Sequence, residues 1–176
     1  MLVGGKSSRM GRDKALLPYR GGTLGNAVAE AVRAAAGNVA LVGSVRLGYP
    51  IVPDVYPGEG PLGGILSALQ NSTADWNLIV ACDMPGLKVE FLGQLLDIAE
   101  RSEGDVLIPI GPSGRQEPLC AVYHRRALQG IYAAFARGVR KIALALEEIR
   151  TVTWPVSELS YFQNVNTPED WSAYER

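Results

Sequence analysis

The stretch LIVACDMPG, residues 78–86, is where the fold becomes legible. Residues 78–82 are apolar at every position rather than at alternate ones, which marks a strand covered on both faces, as in parallel sheets. The run ends in a carboxylate, Asp83, and Pro85 and Gly86 punctuate the turn that follows. On either side lie helical periods, at 61–70 and at 90–100, the latter placing Phe91, Leu92, Leu95, Leu96 and Ile98 mostly inward. Similar apolar runs recur at 39–43 (VALVG), 106–110 (VLIPI) and 120–123 (CAVY). A further helix at 24–36 gathers Leu24, Ala27, Val28, Ala31 and Ala35 on one face. Strand alternating with helix predicts one α/β domain over residues 1–176, a mostly parallel sheet with helices on both faces.

Composition bounds what such a domain can do. The 17 basic and 18 acidic residues leave a formal net charge of −1, so no broad positive field exists to hold nucleic acid non-specifically. No apolar run approaches the roughly 20 residues of a membrane span, and the N-terminus lacks a signal-peptide layout. Cys82 and Cys120, the only cysteines, both sit in strand-like runs, which predicts two buried thiols in a cytoplasmic protein. Only Met1, Leu2 and Val3 precede Gly4. The expected first strand is therefore shorter than the usual length of about 5–6 residues, or its start lies upstream of Met1.

The first loop, LVGGKSSRMGRDK at 2–14, combines backbone freedom with positive charge. Gly4 and Gly5 let amides approach a ligand, Ser7 and Ser8 add hydroxyls, and Lys6, Arg9, Arg12 and Lys14 surround a single acid, Asp13. Backbone donors, a forked guanidinium and a mobile ammonium together suit a polyphosphate. A P-loop is a poor fit, because Gly5, Lys6 and Ser7 supply only its tail and Pro18 follows too soon for its helix.

Two more segments carry chemistry. DVYPGEGPLGGILSAL, 54–69, is stiffened by Pro57 and Pro61 and opened by Gly58, Gly60, Gly63 and Gly64, with Pro61 near a helix start. Such a loop offers amides to a flat ligand; a plain Ω-loop is the alternative on spacing alone. Asp83 stands beyond a strand's carboxyl end, where open α/β sheets bind ligands. One carboxylate there is enough for Mg²⁺, which takes its other ligands from phosphates and water. The competing role, an N-cap, is disfavoured because Pro85 and Gly86 delay the next helix. His124, the only histidine, reads as a strand-end residue rather than a base, and Trp76, Trp154 and Trp171 as packing residues. Thr167 reads as a helix cap before Pro168.

With these residues in view, GGKSSRMGRDK resembles the signature loop of the molybdenum cofactor guanylyltransferases, a motif shared more loosely with sugar-nucleotide and isoprenoid cytidylyltransferases. PGEGPLGG, CDMP, RQEPLCAVY at 115–123 and NVNTPED at 164–170 resemble further segments of the same family in the same order. Val3, where the family usually has Ala, is a departure expected to put a larger side chain beside the nucleotide; Val45 before Arg46, in place of Asn, puts that contact in question.

The resemblance implies a Rossmann-like three-layer fold of the nucleotide-diphospho-sugar transferase type. It implies transfer of GMP from GTP to molybdopterin with release of pyrophosphate and with Mg²⁺ as cofactor. Lys14, Arg9 and Asp83 would be catalytic. Leu2, Val3, Gly4, Gly5, Lys14, Asp54, Gly63, Gly64 and Asp83 would line the nucleotide, Gly63 and Gly64 against guanine. Asp83 would hold the metal, with Asn166 as a second metal or acceptor residue and Arg115 near the acceptor's phosphate. Molybdoenzyme chaperones or other molybdenum cofactor pathway proteins are the partners the resemblance leaves room for. A related enzyme using CTP or another acceptor, or a non-catalytic nucleotide-binding protein, is the alternative.

Overall fold

A computed structural model describes residues 1–4 and 13–165. After a 3-10 turn at Lys14–Leu16 come a short hairpin, β1 (Pro18–Tyr19) with β2 (Gly22–Thr23), and α1 (Leu24–Ala36). Then follow β3 (Leu41–Val42), β4 (Ile51–Val52), α2 (Gly60–Gln70), β5 (Trp76–Val80) and α3 (Val89–Arg101). The second half carries β6 (Val106–Ile110), β7 (Cys120–His124), α4 (Ala127–Ala136), α5 (Ile142–Ala145), β8 (Thr151–Pro155) and a 3-10 turn at Leu159–Phe162.

The strands line up as β4, β3, the first-strand residue Leu2, β5, β7, β6, β8. Leu2 bridges Val42 on one side and Ala81 on the other, both parallel, and so joins the β3–β4 pair to β5. β5 and β6 each pair antiparallel with β7, and β6 pairs parallel with β8. The sheet is therefore mostly parallel, as its apolar runs predict, with β7 reversed. Reversal is invisible locally, since a strand buried on both faces has the same apolar content in either direction.

Side-chain alternation splits the core in two. Val80, Cys82 and Cys120 pack with Leu24, Val28 and Val32 of α1 and Phe91 and Leu92 of α3. Ile79, Val106, Ile108, Ala121 and Tyr123 face the other way, onto Leu62, Ile65, Leu66 and Leu69 of α2 and Ile131 and Ala134 of α4. Each fully buried Leu or Ile contributes about 1.5–3 kcal/mol of transfer free energy, so these two apolar layers hold the helices on the sheet.

α1 starts where Thr23 Oγ1 accepts from Asn26 N–H at 3.2 Å and ends at Gly37, whose φ of 79° is the left-handed stop. α2 starts with Pro61 in its first turn. Both thiols are buried and free, and burial pushes Cys82 up to about 12.

Candidate active site

The loops at the carboxyl ends of the parallel strands meet along one edge, and their contacts can be followed residue by residue. Lys14, on the 3-10 turn, places Nζ 3.2 Å from Asp83 Oδ2, and both side chains are mostly covered. Asp13 caps that turn by accepting from Ala15 N–H at 3.0 Å, which fixes the backbone that carries Lys14. Asp83 follows Cys82, whose N–H donates to Leu2 O at 3.2 Å, so strand β5 and the first strand deliver their ends together. Asp83 does not cap α3: that helix begins six residues later, with Lys88 at its cap position and no side-chain cap. Its Oδ1 is buried and has no hydrogen-bond partner among the described residues. A carboxylate oxygen left open next to one already held by an ammonium is the kind of hard oxygen donor that could take a divalent cation.

The middle loop joins this edge through helix α2. Asp54 Oδ1 accepts from Tyr56 N–H at 3.0 Å and lies 3.1 Å from Ser67 Oγ. That hydroxyl also accepts from Val55 N–H at 2.9 Å and lies 2.9 Å from the Gly63 carbonyl, so its single proton serves two acceptors. Ser67 is fully buried, and the loop is pinned to the helix from inside.

Gly63 and Gly64 stand in the first turns of α2. A Cβ on Gly63 would come within 3.0 Å of Tyr56 O, and one on Gly64 within 3.3 Å of Leu2 side-chain carbons. Both glycines thus bring helix, loop and first strand into close approach.

Both departures from the family pattern turn inward. Val3 is 3% exposed and packs in the core with Ala15 and Leu24, so the interior accommodates its extra bulk. Val45 is likewise a core residue, so it offers no polar contact. Gly5, Arg9 and Asn166 lie outside the described residues, as does Trp171. Arg115 is exposed and pairs with Glu117 at 3.3 Å. His124 sits opposite Trp76 at the other end of β5 from Asp83, with Nδ1 accepting from Arg126 N–H; burial and Arg126 lower its pKa. That distance, roughly 20 Å along an extended strand, removes it from the site.

Three residues escaped the sequence reading. Gly43 adopts φ 133°, and a Cβ there would fall 1.9 Å from Val3 O, so only glycine lets β3 pass the first strand. Glu117 is a buried carboxylate raised by desolvation against the opposing pull of Arg115. Asn164 has a buried Oδ1 without a partner among the described residues, one residue before Val165, whose N–H donates to Asp83 O at 3.0 Å. The apolar setting of Glu117 was the one available signal; nothing in the sequence separates Asn164 from Asn166. Among the described residues no cluster of three or more His, Cys, Asp or Glu side chains is placed to bind a metal. No described helix is long and apolar enough to cross a membrane.

The fold is one that solved nucleotidyltransferases share. A solved cytidylyltransferase for 2-C-methyl-D-erythritol 4-phosphate from Thermus thermophilus shares the fold at 18% identity, with a TM-score of 0.72 over 95% of this chain and 94% of that one. The chain belongs to the MobA-like NTP transferase family, whose domain model matches residues 1–149. A Bacillus cereus (strain ATCC 10987) protein named probable molybdenum cofactor guanylyltransferase is 32% identical, over 97% of this chain and 92% of its own length. The solved molybdopterin-guanine dinucleotide biosynthesis protein A of Archaeoglobus fulgidus is 30% identical, with a TM-score of 0.84 over 99% of this chain and 94% of that one.

Proposed function

We propose that this chain, read as one nucleotidyltransferase domain over residues 1–176, transfers GMP from GTP to the terminal phosphate of molybdopterin and releases pyrophosphate. The observation that carries the proposal is the pair formed by Lys14 and Asp83 at the carboxyl edge, with the Asp83 Oδ1 unpartnered among the described residues. The names of the relatives supply the guanine and the acceptor.

In the reaction an oxygen of the acceptor phosphate forms a bond to the α-phosphorus. The bond from that phosphorus to the bridging oxygen breaks, and its electron pair leaves with pyrophosphate. An ionised phosphate needs no proton removed before it attacks, so no general base is required. That agrees with a chain whose only histidine is remote.

The work left to the protein is positioning and charge neutralisation. Lys14 would neutralise phosphate charge from its place beside Asp83. The amides of Gly4 and Gly5 would hold the triphosphate, with Leu2 and Val3 contributing backbone. Arg9 would steady the departing pyrophosphate. Asp54, Gly63 and Gly64 would shape the base pocket. Asp83, with Asn166 as its second ligand, would hold Mg²⁺, which when bound supplies positive charge against the phosphates. Two reduced, buried thiols suit work in the cytoplasm.

The test is pyrophosphate release with Mg²⁺ and molybdopterin, comparing GTP with CTP. Release with GTP alone is expected. Release with CTP alone would overturn the reading of the glycine loop, and silence with both would leave a nucleotide-binding protein without the transfer chemistry.

A further inference from the structure

The middle loop is pinned from inside by Ser67, but it is also held from outside by a residue far along the chain. Arg140, between α4 and α5, forms an ion pair with Glu59, the residue at the N-cap position of α2. Arg140 is itself a fixed post. Its Nη1 donates to Phe135 O, in the last turn of α4, at 2.8 Å and to Val139 O, just beyond that helix, at 3.0 Å. Its guanidinium lies 3.9 Å from the centroid of the Phe135 ring, and that ring packs 4.8 Å from Tyr56 of the loop. Tyr56 closes the circuit, because its carbonyl accepts from Glu59 N–H at 3.2 Å. Between the two residues sits Gly58, and after Glu59 comes Gly60, with φ of 83° and 76°. A backbone segment with two left-handed glycines has many alternatives of similar energy, so something outside it must select one.

We infer that Arg140 is a positioning residue for the nucleotide: by clamping Glu59 and stacking on Phe135 it holds residues 55–60 in the conformation that receives the base. This rests on the reading of that loop as the nucleotide site. The clamp contributes little to overall stability, because both charged side chains are about two-fifths exposed and exposed ion pairs are worth little. Its product is loop geometry.

The variants are Arg140→Met, which keeps the stem and loses the fork, and Arg140→Lys, which keeps the charge but not the fork. Amide hydrogen exchange of the full chain, without nucleotide, reads the clamp directly. Exchange at 55–60 should rise about tenfold in Arg140→Met, with less change in Arg140→Lys and with Tm nearly unmoved, as local opening predicts. Steady-state kinetics should show KM for GTP up about tenfold while kcat and KM for molybdopterin stay close to wild type. Unchanged exchange at 55–60 would overturn the clamp whatever the nucleotide. Faster exchange with an unchanged KM for GTP would overturn the positioning role and show that the loop does not receive the base.

Discussion

Lys14 and Asp83 are 69 residues apart in the chain, and their side chains meet at 3.2 Å with each mostly shielded from water. The contact does two things before any substrate arrives. It fixes the rotamer of Lys14, and it commits one carboxylate oxygen while leaving the other without a partner among the described residues. A site arranged in advance needs no reorganisation as charge develops on the leaving group, which is how such electrostatic sites accelerate reactions.

Removing either member separates their roles. Asp83→Asn should abolish turnover, because an amide oxygen is a far weaker ligand for Mg²⁺, while the near-equal size preserves the fold. Lys14→Met should lower kcat by about 10²–10³-fold, the range seen when one preorganised donor to a developing charge is lost. Pyrophosphate release and the thermal transition, measured side by side, check both. Full turnover by either variant would remove that residue from the mechanism.

Ser67→Ala tests how the middle loop is fastened to α2. The change deletes the acceptor of the Val55 N–H and a neighbour of Asp54 in a fully buried position. Leaving those groups unsatisfied should cost about 1–3 kcal/mol in chemical denaturation. KM for GTP should rise as the loop loosens, with KM for molybdopterin unchanged.

Gly43→Ala is expected to be severe for a single methyl group. The added carbon would overlap the Val3 carbonyl at 1.9 Å, in a backbone conformation that L-residues rarely adopt. The strain and the forced separation of β3 from the first strand should together cost about 2 kcal/mol or more. Urea unfolding measures it. Wild-type stability would mean that β3 and the first strand separate freely.

The buried thiols set a pH limit. Burial holds Cys82 at about 12 in the folded state, against an ordinary value of 9.0, and Cys120 is pushed up as well. A folded state that keeps its protons longer than the unfolded state loses stability as pH rises above the unfolded value. Denaturation midpoints should therefore fall between about pH 9 and pH 12, and Cys82→Ala should flatten part of that decline. At pH 8 the native protein should resist thiol reagents that label it promptly in denaturant.

Legibility tracked how local the cause was. Strand 106–110 and helix 24–36 match their expected bounds, because burial on both faces and a one-sided helical stripe are written in consecutive residues. The strand expected at 78–82 is observed at Trp76–Val80, since Trp76 and Asn77 join the ladder through pairing with His124 and Tyr123 and not through their own character. The strand expected at 39–43 narrows to Leu41–Val42, because its length is set by the neighbours it pairs with. The edge strand β8, helix α4 and the short hairpin β1–β2 lay outside the sequence reading. An edge strand half open to water has no continuous apolar run to reveal it.

What the sequence determined by itself was the class of fold, the order of its loops and the residue types each loop offers. Apolar period, glycine freedom and charge are properties of neighbouring residues. What the tertiary structure decided was every relation across the sheet. It reversed β7, turned Val3 into the core and required glycine at Gly43. It also joined Lys14 to Asp83 and tied Arg140 to Glu59. Those outcomes depend on which surfaces meet when the chain closes, and a linear pattern specifies what each surface is made of without specifying the distance between two of them.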